Sequence, residues 1–186
     1  MTDSVNISHS ANLAGAFALA LADAQRAAVE EASGQTGAAP AALVAVGQFP
    51  GETLAFFQPL LSLTSSGAVR LFDRLVAAGL LKREPGGDAR SLALRLTPSG
   101  RRVMRRVLAA RRQVAEDALA RLDAGERAHL STLLTKALVG MAGDRTAAQC
   151  LCRLCEHDVC DDAGICPIDT SLTAAGVPEY RAPGRR

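Results

Sequence analysis

Across residues 63–80 the apolar positions Ala68, Leu71, Phe72 and Leu75 fall at i, i+3, i+4 and i+7, the spacing that places side chains on one face of a helix. Thr64 precedes this run as an N-cap, and Gly79 follows it, where a helix end favours a residue that tolerates positive φ. The opposite face reads Ser65, Ser66, Val69, Arg70 and Arg74, small and polar first and basic later. That order suits a helix whose first turns meet base edges in a major groove while longer cations hold phosphates. The period then changes from helix to strand. Leu92, Leu94 and Leu96 alternate as a half-buried strand requires, and with residues 80–84 across a turn at 85–90 they predict a β-hairpin. Lys82, Arg83, Arg90 and Arg95 make the hairpin cationic, and Asp88 precedes Arg90 by two residues, close enough to brace its guanidinium for a phosphate or minor-groove contact. Thr97 and Pro98 supply an N-cap and first helical residue for the next helix.

The flanking chain carries helical stripes. Residues 10–32 are alanine-rich, with Leu13, Phe17, Leu21 and Ala24 on one face. Residues 97–122 align Val103, Val107, Ala110, Val114, Ala118 and Leu122, and residues 126–141 add Leu130, Leu133, Leu134, Ala137, Leu138 and Met141. Such stripes are too long for a small domain core to cover, so a homodimer is expected, with an intrachain bundle as the alternative. Before the amphipathic helix, residues 52–61 contain Phe56-Phe57-Gln58-Pro59, and an internal proline predicts a short or kinked helix there.

The runs Arg70-Leu71-Phe72-Asp73-Arg74-Leu75, Ala78-Gly79-Leu80, Asp88-Ala89-Arg90 and Leu96-Thr97-Pro98-Ser99-Gly100, in that order and spacing, resemble the signature of MarR-family winged-helix regulators over residues 10–142. The resemblance implies a mainly α fold with a small β-hairpin wing (α+β), a winged helix-turn-helix flanked by dimerisation helices. It also implies a dimeric bacterial transcription factor, a repressor in most members, that binds a palindrome and is released by a small-molecule effector or by cysteine oxidation. Interleaved terminal helices would then set the half-site spacing at about one helical turn, roughly 34 Å. The chain departs from the pattern at residues 52–61, where a Leu-Ala-x-x-Leu scaffold is replaced by the proline-bearing run. On this reading residues 1–37 form an N-terminal dimerisation helix, 38–97 the DNA-binding domain, 98–142 the C-terminal dimerisation helices and 143–186 a cysteine-rich tail.

Composition adds bounds. A chain of 186 residues with 48% apolar content can build one core and an appendage. A formal net charge of +2 does not mark a nucleic-acid binder. Its distribution says more, since cations gather on the hairpin and in Arg101, Arg102, Arg105, Arg106, Arg111 and Arg112, a series that reads equally well as a solvated helix face. With no signal peptide and no apolar run of spanning length, a cytoplasmic protein without a membrane partner is expected. The sequence contains no Gly-rich phosphate loop, nucleophile elbow or paired His and carboxylates at metal spacing, so an enzyme is not expected.

All five cysteines, Cys150, Cys152, Cys155, Cys160 and Cys166, fall within seventeen residues, with a core spacing of C-x2-C-x4-C-x5-C-P. Cytosolic proteins rarely use structural disulfides, and an odd count leaves one thiol unpaired, which favours a metal or cluster. A short loop bearing four thiolates can surround one zinc or the corners of an iron–sulfur cluster. Structural zinc sites usually present two C-x2-C knuckles, and only Cys152 and Cys155 make one. The uneven loops and the proline after Cys166 resemble cluster-binding runs such as those of ferredoxins, although the spacings differ. A 4Fe–4S cluster on Cys152, Cys155, Cys160 and Cys166 is therefore favoured over zinc, with Cys150 as a substitute ligand; His157 reads better as a loop histidine. A thiol switch is the remaining alternative, weakened by the scarcity of cations, Arg153 being the only close one.

The expected function is a homodimeric regulator of double-stranded DNA that contacts its operator through Thr64, Ser65, Ser66, Val69, Arg70, Arg74, Lys82, Arg83, Asp88 and Arg90, and senses redox state or iron through the tail. Two alternatives stand beside it. One is a ligand-responsive regulator whose tail is a zinc staple or thiol switch; the other is a winged-helix protein-interaction module, which salt-dependent duplex binding would separate from a regulator.

Overall fold

Helix α1 (Thr2–Ser33) leads into a buried helix α2 (Ala39–Gln48), then a seven-residue helix α3 (Leu54–Leu60) and the amphipathic α4 (Ser65–Ala77). The antiparallel strands β1 (Leu81–Pro85) and β2 (Leu92–Leu96) follow, then α5 (Pro98–Ala118), α6 (Ala124–Leu138), and three short helices, α7 (Arg145–Leu151), α8 (His157–Asp162) and α9 (Pro167–Ala174). The computed structural model describes residues 2–86, 91–162 and 166–178, with side chains described at all of these except 2–8, 158, 161 and 162.

Helix α2 is the centre of the core. Its first eight residues, Ala39 to Val46, are all buried, because a helix that is apolar all round has no face to give to solvent. It packs on α5 and β2. Phe57 and Phe72 are fully buried beside it, their ring centroids 5.7 Å apart, which ties α3 to α4. The expected stripe of α4 is the observed one: Ala68, Leu71, Phe72 and Leu75 are buried. Pro59 sits in the last turn of the seven-residue α3, so the helix is short, as the proline predicts. Ser62, with φ of 54°, makes the turn from α3 to α4, and the Leu63 amide donates to the Gln58 carbonyl at 3.0 Å.

Strand β2 departs from the simple alternation. Leu94 and Leu96 are buried, but Leu92 is 57% exposed and Ala93 is buried instead. The cause is a third segment. Thr53 bridges Ala93, and the Leu94 amide donates to the Glu52 carbonyl at 2.9 Å, so the chain before α3 covers the side of β2 that faces away from β1.

Gly100 explains the end of the Thr97-Pro98-Ser99-Gly100 run. A Cβ there would stand 2.0 Å from the Leu80 carbonyl oxygen, so the start of α5 can rest on the α4–β1 junction only through glycine. Thr97 caps α5 by accepting from the Gly100 amide at 3.0 Å and donates its own hydroxyl to the Gly79 carbonyl at 2.7 Å.

Helices α1 and α5 pack along each other, yet residues 9–20 of α1 are exposed, Leu13 and Phe17 among them, and α6 buries no residue. On α5 the stripe is buried at Val103 and Val107 but not beyond. The tail, expected as a loop, is instead the small helical lobe α7–α9, with its own core of Ala142, Ala148, Ile168 and Leu172. Helix capping is the reason: Asp144 accepts from the Ala147 amide at 2.8 Å to start α7, and Pro167 takes a first-turn position in α9. Among the described residues no helix is long and apolar enough to cross a membrane.

Candidate nucleic-acid interface and cysteine cavity

Helix α4 presents its polar side intact. Thr64, Ser65, Ser66, Val69, Arg70 and Arg74 are all exposed, while the opposite side is locked into the core. The Thr64 hydroxyl accepts from the Gly67 amide at 3.2 Å, which satisfies one of the donors left over at a helix start. Ser65 is within 3.4 Å of the Gln58 side-chain oxygen, so the first turn of α4 is tied back to α3.

The hairpin is less freely cationic than its composition implies. Lys82 pairs with Glu84 at 2.5 Å and Arg95 with the same carboxylate at 2.9 Å; Arg83 pairs with Asp73 of α4 at 2.7 Å. Lys82 first, and Arg95 with it, hold the Glu84 carboxyl below its ordinary range. Lys82 and Glu84 share one face of β1, strand pairing brings Arg95 of β2 to the same face, and Arg83 on the other face reaches Asp73 of α4. Asp88 and Arg90, expected at the hairpin tip, lie outside the described residues.

The second candidate site lies in the tail lobe. Cys152 ends α7, Cys155 follows in a turn whose amide donates to the Cys152 carbonyl at 2.8 Å, Cys160 is on α8 and Cys166 precedes α9. All four line one cavity of about 420 Å³, together with Phe49 from the end of α2, His157, Arg145 and Asp169. Cys150 does not line it; its sulfur lies 3.7 Å from the Ser62 hydroxyl, at the turn into α4. Among the described residues no three His, Cys, Asp or Glu side chains stand together as a metal-holding group. By residue type the lining suits a thiophilic centre, since it includes four cysteines. The Cys152 thiol donates to the Cys155 sulfur, which lowers the Cys155 thiol to about 6, with Arg111 and Arg153 assisting; the same hydrogen bond, and burial after it, push Cys152 up.

Arg145 holds this lobe shut. It forms an ion pair with Asp169 at the start of α9 and donates to the Pro178 carbonyl at 2.9 Å beyond its end. The lobe in turn is docked on the winged helix. Gln48 Nε2 donates to the Cys155 carbonyl at 2.5 Å, Arg112 of α5 pairs with Glu156 at 3.0 Å, the Phe49 and His157 rings meet edge to face at 5.8 Å, and Leu154 joins the main core. Gln48 Oε1 is buried without a hydrogen-bond partner among the described residues. The residues that make the dock, Gln48, Phe49, Arg112 and Glu156, carry no sequence signal, since each is paired with a residue tens of positions away. A groove of about 550 Å³ also runs along α5, lined by Ser99, Arg102, Val103, Arg105, Arg106 and Ala109.

No family model and no curated protein matches the chain. Solved structures do. The chain is similar to a MarR-family protein from Mycobacterium tuberculosis in complex with salicylic acid, at 27% identity and a TM-score of 0.51, over 66% of this chain and 94% of that one. It is similar to a MarR-family transcriptional regulator from Silicibacter pomeroyi, at 25% identity and a TM-score of 0.53, over 67% and 87% of the two chains. The multiple antibiotic-resistance repressor from Listeria monocytogenes shares the fold at 23% identity and a TM-score of 0.56, over 73% of this chain and 95% of that one.

Proposed function

We propose, from the winged-helix fold that this chain has in common with MarR-family transcriptional regulators, that it is a DNA-binding repressor that grips a palindromic operator as a homodimer and responds to redox state or iron through its tail. The observation that carries the DNA reading is α4 itself, a helix anchored by four buried side chains whose other side is exposed, small at its N-terminus and cationic further on. Ser65 and Ser66 let the first turn come close enough for Arg70 to read base edges beside them, and Arg74 reaches the phosphates that flank them. The positive end of the helix dipole adds attraction for the same backbone.

Dimerisation covers what one protomer leaves open. Leu13 and Phe17 on α1, Leu133 and Leu134 on α6 and Met141 just after it are large apolar side chains on the surface, and a second copy would bury them. Two α4 helices would then stand about one DNA turn, roughly 34 Å, apart.

For the tail, the ligands are Cys152, Cys155, Cys160 and Cys166, and the group is a 4Fe–4S cluster. Such a group supplies one-electron redox chemistry and sensitivity to oxidants. The protein's own part is transmission. The Cys155 carbonyl is held by Gln48, Glu156 by Arg112, and the His157 ring meets Phe49 edge to face, so a change in the packing of α7 and α8 reaches α2, α3 and α5 directly. A second reading rests on the α5 groove, whose Arg102, Arg105 and Arg106 suit a small carboxylate such as the salicylic acid bound by the Mycobacterium tuberculosis protein.

Two experiments test this. Duplex binding measured at stepped salt should give log K falling linearly with log salt, with a slope of about −0.9 per phosphate neutralised; absence of salt-dependent binding would leave a protein-interaction module. Absorbance of anaerobically purified protein, with iron, sulfide and zinc analysis of the same sample, should show a broad visible band with matching iron and sulfide. A colourless protein with one zinc per chain would make the tail a staple and move the signal to the α5 groove.

A further inference from the structure

Arg153 lies far from the winged helix in sequence and beside it in space. Its Nη1 donates to the Cys150 carbonyl at 2.5 Å and lies 3.9 Å from the Cys150 sulfur, which is itself 3.7 Å from the Ser62 hydroxyl. Ser62 is the positive-φ residue of the turn from α3 to α4, two positions before the Thr64 cap. The lobe reaches this turn because α7 packs on α3.

We propose that Arg153 is a DNA phosphate contact, so that the cysteine lobe extends the DNA-binding face past the winged helix. This rests on the DNA-binding reading above. In a helix-turn-helix the first helix crosses the backbone and the second enters the groove by its N-terminal end, so a cation at their junction borders the strand that edges the groove. Arg153 is exposed, and its partners among the described residues are the carbonyl and sulfur of Cys150 rather than a carboxylate. Capping one carbonyl orients the planar guanidinium and leaves other N–H groups for a second, bidentate partner, which a phosphate matches. The cations of the wing are differently placed: Lys82 and Arg95 share Glu84 and Arg83 is held by Asp73. A duplex must break those pairs to use them, whereas Arg153, among the described residues, has no carboxylate to release, its charge facing the sulfurs of Cys150 and Cys155.

The test uses the full-length protein and a duplex of mixed sequence, with affinity measured from about 50 mM to 200 mM salt, where phosphate contacts dominate. Arg153→Ala and Arg153→Gln should both flatten the plot of log K against log salt by about 0.9 per protomer, about 1.8 for a dimer on two half-sites. The loss should be uniform across sequences. Arg153→Lys should keep the wild-type slope, as should Arg26→Ala, a control on α1 where Arg26 pairs with Asp23. Arg153→Gln matters because its amide can still donate to the Cys150 carbonyl: a flattened slope for Ala but not for Gln would make the residue a brace for the lobe and overturn the proposal. Wild-type slopes in all Arg153 variants would overturn it too while leaving the DNA-binding reading in place. A wild-type protein without salt-dependent binding would overturn both.

Discussion

Replacing Gly100 by alanine puts a methyl group where the α4–β1 junction already has a carbonyl oxygen. The added Cβ would lie 2.0 Å from Leu80 O and 3.1 Å from Leu96 Cδ2, and ordinary contact begins at 3.4 Å, so the first turn of α5 must retreat by 3.4 − 2.0, or 1.4 Å. That same Leu80 oxygen accepts from the Thr97 amide at 3.0 Å and lies 3.2 Å from its hydroxyl. A shift of this size stretches both. Overpacking of a tight contact costs about 1–3 kcal/mol, and weakening a hydrogen bond adds about 1 kcal/mol. The better helix propensity of alanine returns at most about 1 kcal/mol. The net loss is about 2 kcal/mol, a fall in melting temperature of about 4–8 °C for a chain of this length. Thermal and urea unfolding at one fixed protomer concentration measure it, with Gly15→Ala on α1 as the companion, since a Cβ there meets nothing within 4 Å. A Gly100→Ala protein within about 0.5 kcal/mol of wild type, the noise of a surface change, would refute the claim that the α5 start is wedged against Leu80.

Thr64→Ala should cost about 1 kcal/mol by removing the cap on the Gly67 amide, read in the same unfolding assay. Arg70→Ala should change which sequences are preferred, by about 1–3 kcal/mol at the affected base pair, in competition binding against single-base variants; an equal loss on every duplex would make Arg70 a phosphate contact only. Glu84→Gln should tighten duplex binding and steepen its salt dependence, because Lys82 and Arg95 lose a competing carboxylate. The Glu84 carboxyl is held below its ordinary range, so its ion pairs are complete above the unfolded pKa. They are lost only as pH falls through the lowered folded value, and the wild-type and Gln proteins should converge in affinity at acid pH. Cys150→Ser should leave iron and sulfide content unchanged, since Cys150 does not line the cavity, whereas Cys152→Ser should lower both; loss of iron in the Cys150 variant would redraw the ligand set.

The amphipathic α4, its Thr64 cap, the Thr97-Pro98 start of α5 and the shortness of α3 were legible because each depends on residues within a few positions, and helical periodicity, capping and proline geometry act over that range. Helix α2 left little signal, since an all-apolar run has no polar face to mark its period. The burial of Ala93 was unreadable, since its bridge partner Thr53 lies forty positions earlier. The clustering of cysteines also stands in the one-dimensional spacing, and it named the four that line one cavity.

Other features came from the tertiary structure alone. It decided that Cys150 turns away to the Ser62 hydroxyl, that Lys82, Arg83 and Arg95 are ion-paired, that the tail folds as three helices, and that this lobe rests on the end of α2 and on α5 through Gln48, Phe49, Arg112 and Leu154. Each of the long-range contacts joins residues that no local rule relates, brought together only when buried apolar surfaces settle the packing of whole elements. Local chemistry thus wrote the amphipathic α4 into the chain, and packing set the cysteine lobe, and with it Arg153, at the turn that leads into that helix.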